Sequence, residues 1–334
     1  MGINVLSLFD GISAGRVALE RAGIEIDNYY ASEVDRYAMQ ISNKNYPDIK
    51  QMGDVTKWRE WDIDWSSIDL VIGGSPCQGF SFAGKQLNFE DPRSKLFFDY
   101  VDICHRVADD NPKMKFFLEN VRMKKEYQDV ISEYMGIEPI MINSSLLSAQ
   151  NRVRYYWTNI SNIEQPEDKG VVLSDILEDN VDDKYYLSSE AIDYMGRLRN
   201  GKQRWEFHKN PVDGKAACLT ANMYKGVPYG VLRLTKCEQI ATLDMKGNDC
   251  IRRVYNEEGK SPCLTTSVGG HRQPKVFDYE KEFARKLTPL ECERLQTFDD
   301  NYTEGISNSQ RYKALGNSWT VDVIAHIFSY YQQR

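Results

Sequence analysis

Residues 3–15 read Ile3-Asn4-Val5-Leu6-Ser7-Leu8-Phe9-Asp10-Gly11-Ile12-Ser13-Ala14-Gly15. An apolar run gives way to Asp-Gly, and Val17, Ala18 and Ala22 then recur at helical spacing. A run of that length bounded by turn residues reads as a buried strand. A buried strand feeding a helix through a short loop opens a βα unit, and that decides the fold class.

The same alternation continues outward. Tyr29–Ser32 reads as a second strand ending at Glu33, Ile68–Ile72 as another, and Phe116–Leu118 as another ending at Glu119. Leu96 to Val107 has the spacing of an amphipathic helix, with Leu96, Phe97, Tyr100, Val101 and Cys104 on one face. The expectation is an α/β fold with a doubly wound parallel sheet. In such sheets ligands sit beyond the carboxyl ends of the strands. Asp10, Glu33, Cys77 and Glu119 are all expected just after strands, and hence on one rim.

Around Gln165-Pro166-Glu167-Asp168 the alternation is lost and Gly, Asn, Lys and Arg rise, which places a boundary near Ser161. Residues 213–220 and 258–265 repeat at an offset of 45 with five of eight positions identical, suggesting two similar strand-and-loop units in a small β-rich domain. Near Lys286 the pattern turns helical again. Thr288-Pro289-Leu290-Glu291 has the form of an N-cap, a first-turn proline and a capping-box acid. A last helix is expected from about Thr320 to Tyr331, with Val321, Ile324, Ile327 and Phe328 on one stripe. This tail is either a third unit or a return to the first domain.

The composition is that of a soluble globular protein: 334 residues, 41% hydrophobic and 27% charged. No apolar run approaches the roughly 18–20 residues of a membrane span, and the N-terminus lacks the basic start of a signal peptide. Seven cysteines without a Cys-x-x-Cys pair point to a reducing, cytoplasmic setting, with neither a metal site nor a disulfide framework. The net charge of −7 argues against a polyanion partner, but the distribution does not. From Gly196 to Lys275 there are fifteen Lys and Arg against seven Asp and Glu. An acidic body with a basic insert suggests a polyanion at that insert, against the plainer reading of a solvated basic surface.

The loop after the first strand is neither Gly-x-Gly-x-x-Gly nor a phosphate loop. An acid at Asp10 would repel a pyrophosphate and suits a cofactor carrying an amine or sulfonium cation. Glu33 can accept from both ribose hydroxyls. Asp54, in Gly53-Asp54-Val55, can accept from an adenine amino group while Val55 packs on the ring. Each acid alone is commonly a solvated loop residue; the three together suggest S-adenosylmethionine. Residues 73–81 read Gly73-Gly74-Ser75-Pro76-Cys77-Gln78-Gly79-Phe80-Ser81 and present one cysteine on a strand-end turn. A lone cysteine is more often a small hydrophobe than a nucleophile, but Pro76 and Gln78-Gly79 on either side favour the second reading.

This ordered set of motifs resembles the DNA cytosine-C5 methyltransferase family. The resemblance runs from Phe9-Asp10-Gly11, Glu33 and Gly53-Asp54-Val55 through Gly74 to Ser81. It continues with Glu119-Asn120-Val121, Gln150-Asn151-Arg152-Val153-Arg154, Arg285-Lys286-Leu287-Thr288-Pro289 and Gly316-Asn317-Ser318. The first domain is also similar to the catalytic domain of animal de novo methyltransferases, notably in Ser7 to Ile12. Residues Gly84 to Asp91 look more like bacterial restriction-modification enzymes. One departure is that Gln296-Thr297-Phe298-Asp299-Asp300 lacks the proline the family often has after that phenylalanine.

The resemblance implies a Rossmann-like S-adenosylmethionine-dependent methyltransferase domain, residues 1–161 with 285–334, and a smaller β-rich target recognition domain, 162–284. It implies a cofactor site of Phe9, Asp10, Gly11, Ile12, Glu33, Val34, Asp54, Val55, Pro76 and Leu96, closed by Asn317 and Ser318, with S-adenosylhomocysteine as product. Cys77 would add to cytosine C6 and give C5 enamine character. Glu119 would donate to N3 and contact the exocyclic amine. Arg154 would hold the base carbonyl, with Arg152 close to phosphate or base. The base is flipped from the duplex, and a loop from Phe80 to Arg93 closes over it, bringing Gln78, Ser81, Lys85 and Gln86 toward the opened DNA. Loops such as Tyr224-Lys225-Gly226 and Gly269-Gly270-His271-Arg272-Gln273 are candidates to read base edges, Arg272 among them. The partner is double-stranded DNA, in a bacterial nucleoid or a phage-infected cell, with a cognate restriction endonuclease acting separately and no membrane. Two rival readings stand beside this one: a tRNA cytosine-C5 methyltransferase, and a catalytically inactive DNA-binding homologue.

Overall fold

The computed structural model describes residues 2–75, 92–185, 239–242, 253–255, 260–263, 275–278 and 283–331. By packing, the chain divides into two units. The first is Met1–Asn143, Val153–Pro166 and Ser318–Arg334; the second is Ser144–Arg152 and Glu167–Asn317.

The first unit contains strands β1 (Ile3–Leu8), β2 (Ile26–Ser32), β3 (Lys50–Gln51), β4 (Leu70–Gly73), β5 (Lys115–Val121) and β6 (Ile140–Asn143). After β7 (Gln150–Asn151), which belongs to the second unit, comes β8 (Val153–Thr158). Helices α1 (Ala14–Arg21), α2 (Arg36–Asn45), α3 (Pro92–Asp110) and α4 (Lys125–Met135) alternate with these strands. The sheet order is β3-β2-β1-β4-β5-β8-β6. β3, β2, β1, β4 and β5 run parallel, β8 joins β5 in antiparallel sense and β6 is antiparallel to β8, so β8 alone runs against the others in this sheet. The chain winds outward from β1 to β2 and β3, then crosses back to place β4 on the other side of β1. The order therefore reverses between β1 and β4, and in a doubly wound sheet a ligand crevice opens at such a point.

Side chains alternate between the faces of each strand. Leu6, Leu8, Val71 and Leu118 join Phe97, Tyr100, Val101, Cys104 and Val107 of α3 in one core cluster. On the opposite face, Phe117 meets Tyr156, Phe328 and Trp319 with ring centroids 5.7, 5.2 and 5.3 Å away. Burying Phe117 there is worth about 1.5–3 kcal/mol, and each ring pair adds about 0.5–1.5 kcal/mol. Phe328 lies on the helix Val321–Phe328, whose Val321, Ile324, Ile327 and Phe328 are all fully buried. An ion pair between Arg21 and Asp322, 2.8 Å apart, fastens this helix to α1. The C-terminal segment is thus part of the first unit, about three hundred residues after β1.

In the second unit, β9 (Gln239–Thr242), β10 (Arg253–Tyr255), β12 (Lys275–Asp278) and β13 (Phe283–Lys286) form a sheet of order β13-β12-β10-β9, and β11 (Ser261–Pro262) pairs with β7. The capping box forms as expected. Thr288 Oγ1 accepts from Glu291 N at 3.1 Å, and Glu291 Oε2 accepts from Thr288 N at 2.8 Å, at the start of the helix Pro289–Leu295. The turn that lacks the family's proline is organised by Glu293. Its fully buried carboxylate accepts from Asn301 N, Thr303 N and Arg311 Nη2, each at 2.8 Å, and from the Thr303 hydroxyl. No helix among the described residues is long and apolar enough to cross a membrane.

Candidate active site

The loop after β1 flanks one side of the crevice at the β1/β4 reversal. Phe9, Gly11 and Ser13 all adopt left-handed backbone, with φ of 58°, 61° and 60°. Glycine accepts this freely, whereas a non-glycine residue is strained by roughly 1–3 kcal/mol unless its surroundings impose it. Here they do. Asp10 Oδ1 accepts from Ser7 Oγ at 2.6 Å and Tyr29 OH at 2.8 Å, and Oδ2 accepts from Ser13 Oγ at 2.6 Å. Asp10 N donates to Ser32 O at 3.0 Å, and Gly11 N donates to Glu33 Oε2 at 2.8 Å. Burial pushes the Asp10 carboxyl above its ordinary value; the three hydroxyls pull it down, and nearby Glu33 adds to the rise. Asp10, expected to face a cofactor cation, instead lies beneath the loop as the group that shapes it.

Glu33 ties the loop to the end of β2. Besides Gly11 N, it accepts from Val34 N at 2.7 Å and Asp35 N at 2.8 Å through Oε1. A carboxylate has about four acceptor sites, so three backbone amides leave limited capacity for ribose hydroxyls. Val34 beside it is 71% exposed and offers apolar surface on the rim. Asp54 is exposed and caps the short 3-10 turn Val55–Glu60. It accepts from Thr56 N and Thr56 Oγ1, both at 2.9 Å, and these bonds, the backbone one first, hold its carboxyl below the usual range. Val55 is only 4% exposed and packs in the α3-side core, so the ring contact expected of it is taken by protein. Leu96 is half-buried at the margin of that core.

The end of β4 flanks the other side of the crevice, and two aromatic rings crowd it. A Cβ on Gly73 would lie 2.8 Å from the Tyr100 ring. A Cβ on Gly74 would lie 3.0 Å from Trp319 Nε1 and 3.3 Å from Glu119 Oε2. The glycines are there because the chain must pass between these groups. The Ser75 hydroxyl is buried with no hydrogen-bond partner among the described residues. Asn120 Nδ2 approaches Ser75 O at 3.5 Å, linking β5 to this segment.

Glu119 was expected just past its strand and lies inside β5, opposite Tyr156 of β8. Arg154 is two residues from Tyr156 on the same face, the diagonal position that a long side chain can span. Its Nε lies 2.8 Å from Glu119 Oε1, with the side chains 12% and 11% exposed. Arg154 Nη1 also donates to Val153 O at 2.8 Å. The result is a nearly buried carboxylate–guanidinium pair beside the β4 terminus. Arg152, expected near phosphate or base, is instead 4% exposed in the packing of the second unit. It donates to Cys263 Sγ at 3.1 Å and to Gly316 O at 3.5 Å. Two residues of separation on one strand-like run concealed that the chain changes unit between Arg152 and Val153.

Ser318 is buried in the first unit, and Asn317 is exposed at the end of the helix Asn308–Asn317 in the second. Pro76, Cys77, Gln78, Ser81, Lys85, Gln86 and Arg272 lie outside the described residues, as do the loops at 224–226 and 269–273 and the first copy of the repeat. Sequence reasoning missed Tyr29, Asn120 and Trp319. Asn120 lay within a quoted motif, and Trp319 directly followed one.

A doubly wound sheet with a carboxylate-organised loop on one side of its reversal and a buried acid–arginine pair on the other defines a Rossmann-like fold with a ligand crevice at the reversal. The profile described as C-5 cytosine-specific DNA methylase matches residues 3–333. The chain belongs to that family and is a DNA (cytosine-5) methyltransferase. It is 32% identical over 348 aligned residues to the type II methyltransferase M.HpaII of Haemophilus parainfluenzae, spanning 96% of this chain and 86% of the other. It is 28% identical over 495 aligned residues to the orphan methyltransferase M.Rho11sI of Bacillus phage rho11s, spanning 98% and 97%. Its fold is shared with the methyltransferase EhMeth of Entamoeba histolytica, at a TM-score of 0.66, 18% identity and coverage of 99% and 98%. Spodoptera frugiperda DNMT2 has the same fold, at a TM-score of 0.64, 17% identity and coverage of 98% and 99%.

Proposed function

We propose that the chain methylates C5 of a cytosine flipped out of a specific duplex DNA sequence, through a covalent bond from Cys77 to C6. The observation that carries this reading is the Glu119–Arg154 pair, 2.8 Å apart and nearly buried beside the glycine pair that leads to Cys77. Cytosine C5 is a poor nucleophile while the ring is aromatic. Addition of the Cys77 thiolate to C6 breaks the C5=C6 bond and passes its electrons toward N3, where Glu119 supplies the compensating proton. Arg154 orients Glu119 and presents a cation toward the base carbonyl. After C5 gains the methyl group, a base such as water takes the C5 proton, the C5=C6 bond re-forms, Cys77 leaves as thiolate and N3 returns its proton to Glu119.

S-adenosylmethionine, when bound, supplies the electrophilic methyl group and departs as S-adenosylhomocysteine. The rim fits it: Val34 offers exposed apolar surface next to the Glu33 carboxylate, and Asp54 is an exposed acceptor following Gly53, whose carbonyl accepts from Ser32 Oγ at 2.7 Å at the end of β2. Glu33 would accept from ribose with its remaining capacity and Asp54 from the adenine amino group. Asp10 would act through the loop it shapes. Phe9, Gly11 and Ile12 would contribute that loop's surface, with Pro76, Leu96, Asn317 and Ser318 as further walls. Residues 162–284 would recognise the target, with Gln78, Ser81, Lys85, Gln86 and Arg272 against DNA.

Bisulfite sequencing of a plasmid from cells expressing the chain tests the reading. Cytosines protected in one sequence context, and unprotected with Cys77→Ser, are expected. A duplex carrying 5-fluorocytosine at that context should give a denaturant-resistant adduct, because fluorine at C5 blocks elimination. Methyl transfer to tRNA alone, or full activity of Cys77→Ser, would overturn it.

A further inference from the structure

Trp319 precedes the helix Val321–Phe328 and is half-buried, unlike the fully buried rings beneath it. Its indole is held edge-on by Phe117 at 5.3 Å. One end of the ring, Cζ3, comes within van der Waals reach, 3.4 Å, of where a Cβ on Gly15 would sit in the first turn of α1, although that glycine is demanded by Ile72 Cδ1, the nearest atom, and by Tyr29 OH at 3.1 Å. The other end, Nε1 and Cζ2, lies 3.0 and 3.4 Å from the corresponding point on Gly74. Glu119 Oε2 lies 3.3 Å from that same Gly74 point. One rigid plate therefore crowds the end of β4 and shares with Glu119 the space above Gly74, which a side chain there would fill.

We propose that Trp319 is a positioning residue for Glu119: the indole, held by Phe117 and packed over Gly74, fixes the Glu119 carboxylate against the β4 terminus. Ring activation then depends on Trp319 even when no methyl group is transferred. This inference rests on the reading of Glu119 and Cys77 given above. A planar side chain has few ways to relax, so its loss lets the carboxylate drift, and misplacement of about 1 Å at a reacting centre costs roughly a hundredfold.

The test measures two rates on duplex DNA containing the target site: methyl transfer, and release of tritium from C5-tritiated cytosine without methyl donor. The second reads thiolate addition at C6 and is blind to cofactor contacts. Trp319→Ala is expected to lower both kcat for methyl transfer and tritium release by about tenfold or more, with KM for S-adenosylmethionine changed less than about threefold. Trp319→Phe, which keeps a plate, is expected to recover most of the loss. In a Glu119→Gln background, Trp319→Ala should have little further effect, because residues acting as a unit are not additive. Wild-type tritium release by Trp319→Ala, with the defect confined to KM for the cofactor, would make Trp319 a cofactor wall and overturn the proposal. So would full additivity with Glu119→Gln. Should Trp319→Ala fail to fold, Gly74→Ala decides: its Cβ intrudes on Trp319 Nε1 and Glu119 Oε2 and should itself suppress tritium release, and undiminished release would overturn the proposal. Wild-type protein that methylates cytosine yet forms no adduct with the 5-fluorocytosine duplex would instead refute the covalent reading on which the proposal stands.

Discussion

Arg154→Met removes the guanidinium and leaves the Glu119 carboxylate without its countercharge. The pair is 2.8 Å apart with side chains 12% and 11% exposed, so water screens it poorly. Deleting one partner of a buried pair costs about 3–5 kcal/mol, because the surviving charge stays desolvated. The residual exposure here favours the lower figure, about 3 kcal/mol. For a domain of this class, about 2–4 °C of melting temperature is lost per kcal/mol, so Arg154→Met should melt about 6–12 °C below wild type. Glu119→Gln should melt closer to wild type, since its amide oxygen can still accept from the Arg154 guanidinium that survives. The double variant should be more stable than the sum of the two losses predicts, by a coupling of about 1–3 kcal/mol. Both single variants should lose methyl transfer, Glu119→Gln by about a hundredfold or more as a missing proton donor. Thermal melts and methyl-transfer assays on the four proteins complete the cycle. Additive losses, or an Arg154→Met protein that melts within about 2 °C of wild type, would refute the electrostatic argument.

Asp10→Asn offers an amide where three hydroxyls donate, and should cost about 1–3 kcal/mol in urea melts. Burial raises the Asp10 pKa above its ordinary 3.8, so the stability linked to its neutral form is complete below that value and lost as pH rises through the folded-state pKa. The gap between wild type and the non-titrating variant should therefore narrow with rising pH, and a gap that widens would contradict the assignment. Gly73→Ala places a Cβ 2.8 Å from the buried Tyr100 ring and should lower stability by about 1–3 kcal/mol in a thermal melt. Thr288→Ala removes the hydroxyl that caps the helix Pro289–Leu295 and should cost about 1–2 kcal/mol by chemical unfolding.

The strand-loop-helix opening, the helix α3 and the Thr288 capping box were legible because each is written in local spacing. The Glu119 strand was read one residue short of its acid. A carboxylate at the end of an apolar run reads locally as a terminus, but it continues a strand when an arginine on the neighbouring strand offsets its charge. That neighbour, β8, is antiparallel, and nothing local in Val153–Thr158 announces which strand it joins. Arg152 and Arg154 looked equivalent because they alternate, yet one serves the packing of the second unit and the other the acid. Val55 was read as a ring contact because it follows Asp54; its burial depends on α3, some forty residues on. Trp319 follows a quoted motif directly, but its contact with Gly74 joins residues far apart in sequence and left no local sign.

The chain passes between its two units four times, after Asn143, Arg152, Pro166 and Asn317. The first excursion interrupts a hairpin, for Asn143 and Val153 on either side of it are paired in adjacent strands. The second unit is consequently not a bead that can be cut off or exchanged at one pair of joints. A chimera built by grafting residues 162–284 from a relative would retain the host's 144–152 and 285–317, and so would ask a borrowed sheet to dock on foreign supports. Exchange of the second unit between members of this family should then give a folded protein more often when 144–152 and 285–317 travel with the graft.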